Sequence, residues 1–216
     1  MAGAAARPRI AVLDYGMGNR RSVEKALERV GASPVITNDH ERVRAADGIV
    51  LPGVGAFPQA MRNLRELELD GLLGERLAAA VPTLGICLGM QLLFEASSEN
   101  EGAWGLGLLQ GRVERLPAPG LKVPHIGWSP VSWTRRSPLI EGLPDECPFY
   151  IVHSFAPVVT STEDVLGLGH YGEPFVCAVE REPLYGVQFH PEKSSAYGLK
   201  LLQNFSAICA AVSTAA

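Results

Sequence analysis

The 216-residue chain has no CxxC pair, no block of lysine and arginine, and no long apolar run. Each absence excludes something. Four scattered cysteines, Cys87, Cys147, Cys177 and Cys209, make neither a zinc-finger spacing nor a disulfide framework. Thiols so placed fit a reducing, cytoplasmic location, and no metal or cofactor is expected. Lys plus Arg number 19 against 23 for Asp plus Glu, a formal net charge of −4. A weakly acidic chain without a basic patch lacks the footprint of a nucleic-acid or anionic-membrane binder. No apolar stretch approaches the roughly 20 residues of a membrane helix. Met1 to Pro8 is Ala-rich, and its basic residue does not precede an apolar core as in a signal peptide. Residues 1–8 are therefore expected to be a disordered extension before a single domain over 9–212.

What is present alternates between two periods. Arg9 to Leu13 is a short apolar run closed by Asp14-Tyr15-Gly16, the pattern of a buried parallel strand. Val23, Ala26, Leu27 and Val30 form one helical stripe, with Gly31 placed as a C-cap. Pro34–Thr37 and Gly48–Leu51 read as strands, and His40 as part of a polar loop between them. Residues 58–80 read as helical, interrupted by Gly71 and Gly74. Thr83–Ile86 reads as a fourth strand, with a helix from Leu88 to Ala96. Alternation of this kind predicts an α/β domain with a mostly parallel, doubly wound sheet, flanking helices and additional antiparallel strands. The later half supplies the antiparallel pieces: 111–116, 127–133, 149–155, 165–170, 175–179 and 185–189, before a final helix over 195–212. Glu180 to Pro183 is the expected turn of a hairpin.

Three local patterns carry chemistry. Gly85-Ile86-Cys87-Leu88-Gly89 lies between an apolar strand and a helix, the form of a nucleophile elbow with Cys in place of Ser. A helix N-terminus behind the sulfur favours the thiolate, and the Leu88 amide would face an oxyanion. A buried structural cysteine after a core strand has the same local pattern. His190-Pro191-Glu192 follows a later strand, and Pro191 can turn the chain so that Glu192 orients the His190 imidazole. A turn before the last helix, with Glu192 as an N-terminal charge, is the alternative. Pro52-Gly53-Val54-Gly55 ends the third strand with backbone amides free to serve as a second oxyanion donor. That loop has neither GK[ST] nor a completed GxGxxG after it, so it is no phosphate cradle.

Together these patterns resemble the class I (triad) glutamine amidotransferases over about residues 9 to 210. Within that family, Asp14 to Asn19 (DYGMGN), Leu51 to Phe57 (LPGVGAF), Gly85 to Leu93 (GICLGMQLL), Pro124 to Trp128 (PHIGW), Tyr150 to Phe155 (YIVHSF) and His190 to Ser194 (HPEKS) resemble the glutaminase subunits of imidazole glycerol phosphate synthases. The resemblance implies Cys87 as nucleophile, His190 as base and Glu192 as orienting carboxylate. It implies Val54 and Leu88 as oxyanion donors, and Gly53, Gln91, Glu99, Ser154 and Phe155 as the L-glutamine pocket. Asn19, Tyr150 and Lys193 would face a cyclase partner, a (β/α)₈ barrel, in a heterodimer. Arg20, Ser129 and Phe155 depart from the residues common at their positions. Two other readings stay open: a self-sufficient γ-glutamyl hydrolase, and a non-catalytic subunit that keeps the fold for assembly.

Overall fold

Every second residue of the first strands faces a different hydrophobic layer, and that alternation builds the domain. In the computed structural model, which describes residues 7–213, Ile10 and Val12 enter one core with Val23, Leu27, Leu201 and Phe205. Ala11 and Leu13 enter the other with Phe57, Met61, Leu64 and Leu72. A strand buried on both faces must be apolar throughout, which is why Arg9 to Leu13 shows no polar alternation. The elements of this half are β1 (Arg9–Leu13), α1 (Arg20–Arg29), β2 (Ser33–Thr37), α2 (His40–Arg44), β3 (Gly48–Gly53), α3 (Phe57–Glu66), α4 (Leu69–Ala78), β4 (Thr83–Cys87) and α5 (Leu88–Gln91). Then come β5 (Phe94–Ser97), β6 (Ala103–Trp104), β7 (Leu109–Arg115), β8 (His125–Trp133), β9 (Glu146–His153), β10 (Phe155–Val159), β11 (Val165–Tyr171), β12 (Glu173–Arg181), β13 (Leu184–Val187) and α6 (Ser195–Ser213).

A nine-stranded sheet runs in the order β2-β1-β3-β4-β13-β12-β11-β8-β9. From β2 to β13 the pairings are parallel, and from β13 to β9 they are antiparallel. The register Ile86↔Val187 sets the ends of β4 and β13 side by side. A smaller sheet, β10-β7-β5-β6, stands beside it. Helices α1 and α6 pack on one face of the large sheet and α3 and α4 on the other, the doubly wound arrangement. No helix among the described residues is long and apolar enough to cross a membrane.

The structure departs from the expected elements at four places. His40 starts α2 rather than lying in a loop: Asp39 caps it by accepting from Arg42 N at 2.9 Å, and Val43 is its one buried anchor. The helical stretch over 58–80 breaks at Glu68, with φ +53°, and not at Gly71 or Gly74. Those glycines sit inside α4, where a Cβ would meet nothing. The helix after Cys87 stops at Gln91, because Phe94 is drawn into parallel pairing with Leu109. A short buried apolar run suits strand and helix equally, so periodicity could not decide it. The strand expected over 149–155 divides at Ser154, where the chain leaves the large sheet for the small one. Of the expected N-terminal extension, residues 1–6 lie outside the described residues, while the Pro8 carbonyl accepts from Ser33 N at 2.9 Å.

Candidate active site

Cys87 is the last residue of β4, held at φ +56° and ψ −112°. Non-glycine residues seldom adopt positive φ, and the strain is of order 1–3 kcal/mol. The two glycines around it are sterically required. A Cβ on Gly89 would lie 1.8 Å from Leu51 O, and one on Gly85 would lie 2.7 Å from Gly89 O. Close approach of β3, β4 and α5 thus throws the sulfur off the carboxyl edge of the sheet. The thiol donates to Val152 O at 3.8 Å and receives Gln188 Nε2 at 3.7 Å.

His190, the candidate base, arrives through β13. Because β13 runs parallel to β4, its chain leaves the sheet at the same edge, and His190 follows three residues after Val187. Pro191–Lys193 forms one 3₁₀ turn, which swings Glu192 back until its Oε1 is 2.9 Å from His190 Nδ1. Both side chains are buried, at 4% and 1% exposure. With Nδ1 on the carboxylate, Nε2 is the nitrogen left for Cys87. Burial pulls the His190 pKa down, but its hydrogen bonds to Cys87 and Glu192 outweigh that and push it up to about 9. Ser194 Oγ fastens the turn by donating to His190 O at 2.6 Å.

Cys87 and His190 open into a cavity of about 290 Å³. Val54, Leu88, Gln91, Glu99, Ser154, Phe155 and Lys193 line it as well. Glu192 sits behind His190. Gly53 does not line the cavity: it pairs with Cys87 across β3 and β4, and a Cβ there would meet Tyr15 Oη at 2.7 Å and Leu88 Cβ at 2.8 Å. The Tyr15 hydroxyl donates to Pro52 O at 2.5 Å and holds that strand end in place. Val54 is 42% exposed, and Gly55 has φ +112°. Glu99 divides its role, since Oε2 accepts from Phe57 N at 2.7 Å at the start of α3. Asn19 and Tyr150 lie outside the cavity. Asn19 precedes α1, and Tyr150 carries Lys193 Nζ 5.9 Å above its ring. Of the departures, Arg20 pairs with Asp14, Ser129 bonds His125, and Phe155 offers its carbonyl to Gln91 Nε2 at 3.0 Å.

Gln188 escaped the sequence reading, and so did the pairing of His125 with His153. Gln188 is fully buried and touches both Gln91 and Cys87. A glutamine between Val187 and Phe189, at the end of an apolar strand, was the signal. His125 and His153 are paired at 3.2 Å. They stand directly opposite on β8 and β9, which only the strand register reveals.

The profile of the family described as "Glutamine amidotransferase class-I" matches residues 11–209. The chain is 50% identical over 196 residues to an imidazole glycerol phosphate synthase subunit HisH of Moorella thermoacetica, covering 91% of this chain and 93% of that one. It is 48% identical over 203 residues to the subunit of the same name from Methanosarcina barkeri, covering 93% and 99%. Among solved structures, PurLQS from Thermotoga maritima superposes with a TM-score of 0.75 at 20% identity, over 94% of this chain and 99% of that one. A structure titled glutamine amidotransferase gives 0.70 at 22%, over 93% and 98%. These two bear on the fold alone. With the family profile spanning almost the whole of the described domain, the chain belongs to the class I glutamine amidotransferases.

Proposed function

We propose that this chain is the glutaminase subunit of an imidazole glycerol phosphate synthase. It hydrolyses L-glutamine to glutamate and ammonia and passes the ammonia to a cyclase subunit. That partner is a (β/α)₈ barrel, bound as a heterodimer, and it forms imidazole glycerol phosphate and aminoimidazole carboxamide ribotide in histidine biosynthesis. The observation that carries the reading is Cys87 and His190 in one cavity with Glu192 bonded behind the imidazole, in a chain half-identical over nine-tenths of its length to a curated subunit of that synthase.

The chemistry follows from the geometry. The Cys87 sulfur attacks the side-chain carbonyl carbon of glutamine, and negative charge develops on the carbonyl oxygen. Leu88 N, at the start of α5, and Val54 N would be the two donors that meet that charge. His190 then gives its proton to the departing nitrogen, the C–N bond breaks, and ammonia leaves behind a thioester. Water attacks the thioester with His190 as base, releasing glutamate and restoring the thiol. Glu192 keeps Nδ1 protonated and the ring oriented throughout. All four cysteines are free thiols, which fits a cytoplasmic enzyme.

The test is glutamine hydrolysis by the purified chain with and without the cyclase and its ligand. A strong rise on adding both supports the reading. Equal turnover in their absence favours the self-sufficient hydrolase, and no turnover in either condition favours a non-catalytic subunit.

A further inference from the structure

A line of buried polar groups leads away from the cavity, and its direction is forced. His153 Nδ1 lies 2.9 Å from Phe155 O, a pure acceptor, so that nitrogen carries a hydrogen. In a neutral ring Nε2 is then a lone pair. It lies 3.2 Å from His125 Nδ1, which must be the donor. His125 Nε2 is left as an acceptor, and the Ser129 hydroxyl, 2.8 Å away, supplies its proton. The order is therefore Ser129 to His125 to His153 to the Phe155 carbonyl.

The Phe155 carbonyl accepts a second bond, from Gln91 Nε2 at 3.0 Å. Because the acceptor is a carbonyl, the end of Gln91 that faces it must be the NH₂. Its other hydrogen goes to Gln188 Oε1 at 3.0 Å, and Gln188 turns its own NH₂ toward Cys87 Sγ at 3.7 Å. Both Gln91 hydrogens are thereby used, and Oε1 is the end that remains to meet a ligand in the cavity that Gln91 lines.

The two imidazoles are 4% and 5% exposed, with Tyr171 stacked 4.0 Å from His125 and Phe175 4.8 Å from His153. Burial lowers both pKa values, that of His153 to about 4, which keeps the rings neutral. Protonating His153 would set its Nε2–H against the N–H of His125 Nδ1. A buried polar chain is costly unless every member is satisfied, and here each is.

We propose that Ser129, His125 and His153 are positioning residues for the glutamine pocket, fixing the Phe155 carbonyl so that Gln91 presents Oε1 to an N–H donor of the substrate. The proposal rests on the glutaminase reading above. It assigns the chain to binding rather than to bond breaking, because the hydrogen bonds of all three run to one another and to the Phe155 carbonyl, although His153 lines the same cavity as Cys87 and His190.

The experiment compares the parent, His153→Leu, His153→Asn and Ser129→Ala in the complex with the cyclase, reading kcat and KM for glutamine. Asn keeps an N–H donor where Nδ1 stands, whereas Leu keeps only bulk. One lost hydrogen bond corresponds to about tenfold. His153→Leu should raise KM about tenfold with kcat within about threefold, and His153→Asn should restore most of that loss. Ser129→Ala, the variant least disruptive to folding, should raise KM about threefold. Equal alkylation of Cys87 by iodoacetamide, which needs no glutamine pocket, shows that the elbow is intact. A loss confined to kcat overturns the proposal, as does His153→Asn no better than His153→Leu or an unchanged KM in Ser129→Ala. A parent complex without glutaminase activity overturns the functional reading and the proposal with it.

Discussion

The backbone amide of His190 donates to the carbonyl of Tyr150 at 2.9 Å, and the Tyr150 amide donates to Ser194 Oγ at 2.9 Å. His190 and Tyr150 of the outer strand β9 therefore belong to one hydrogen-bonded piece, although they are 40 positions apart in the chain. Tyr150 also meets the exposed ring of Trp128 at 6.1 Å and carries Lys193 over its face. A protein docking on that surface would press on the same piece that holds His190. Lys193→Glu should weaken cyclase binding about tenfold, and titration calorimetry at fixed ionic strength checks it. Unchanged affinity would remove Lys193 from the interface.

Cys87→Ala should abolish glutamine hydrolysis while the assembled complex still makes product from added ammonia. Cys87→Gly should do the same and also raise stability by about 1 kcal/mol, because it relieves the positive φ at the elbow. Thermal unfolding of the two variants side by side reads the difference. A glycine variant no more stable than the alanine one would mean that the elbow stores no strain.

His190 binds its proton more tightly folded than unfolded, its pKa rising from 6.5 to about 9. The stability this supplies is fully present below about pH 6.5 and is lost as pH rises through about 9. The parent should therefore lose thermal stability between pH 7 and 10 more steeply than His190→Ala. His190→Ala should lower turnover by about 10²–10⁴, and Glu192→Gln by less, since the carboxylate only orients and charges the ring. Parallel pH–stability curves for parent and His190→Ala would count against the shift.

Gly89→Ala should destabilise the fold by about 3 kcal/mol, the upper range for overpacking, because its Cβ would enter the Leu51 carbonyl. Gly71→Ala, at an open helical surface, should instead stabilise by about 0.5–1 kcal/mol. Urea denaturation of the pair checks both signs.

Gly55 has φ +112°, which proline cannot adopt. If the Pro52–Gly55 loop carries the second oxyanion donor and moves when the partner docks, Gly55→Pro should cut partner stimulation of hydrolysis by about 10²–10³, the worth of one oxyanion donor. A folded variant that binds the cyclase and is stimulated like the parent would show that the loop is not the switch.

The meeting of Cys87, His190 and Glu192 was legible because its signals lie in adjacent residues: a turn between glycines, and a proline that reverses two side chains. The doubly wound half was legible for a similar reason, since β1, β3 and β4 are unbroken apolar runs. Strand β5 was not, because Leu92, Leu93 and Phe94 satisfy either period, and pairing with β7 decided the outcome. Helix α2 was missed because its stability comes from the Asp39 cap and the single buried Val43 rather than from an apolar stripe. The His125–His153 pair depends wholly on register between β8 and β9, a relation between distant segments. Ser129, a departure from the residue common at its position, becomes intelligible only as the donor to His125.

Gln188 and Cys87 touch although 101 residues separate them. The contact exists only because β13, the last strand among the described residues, inserts beside β4. A ribosome-bound chain that has released its nucleophile thus holds a cysteine with no base, no Gln188 and half a pocket. Pairings of such long range are also slow to form. Glutamine thus meets no assembled site until Gln188, His190 and Glu192 have been made and folded back onto Cys87.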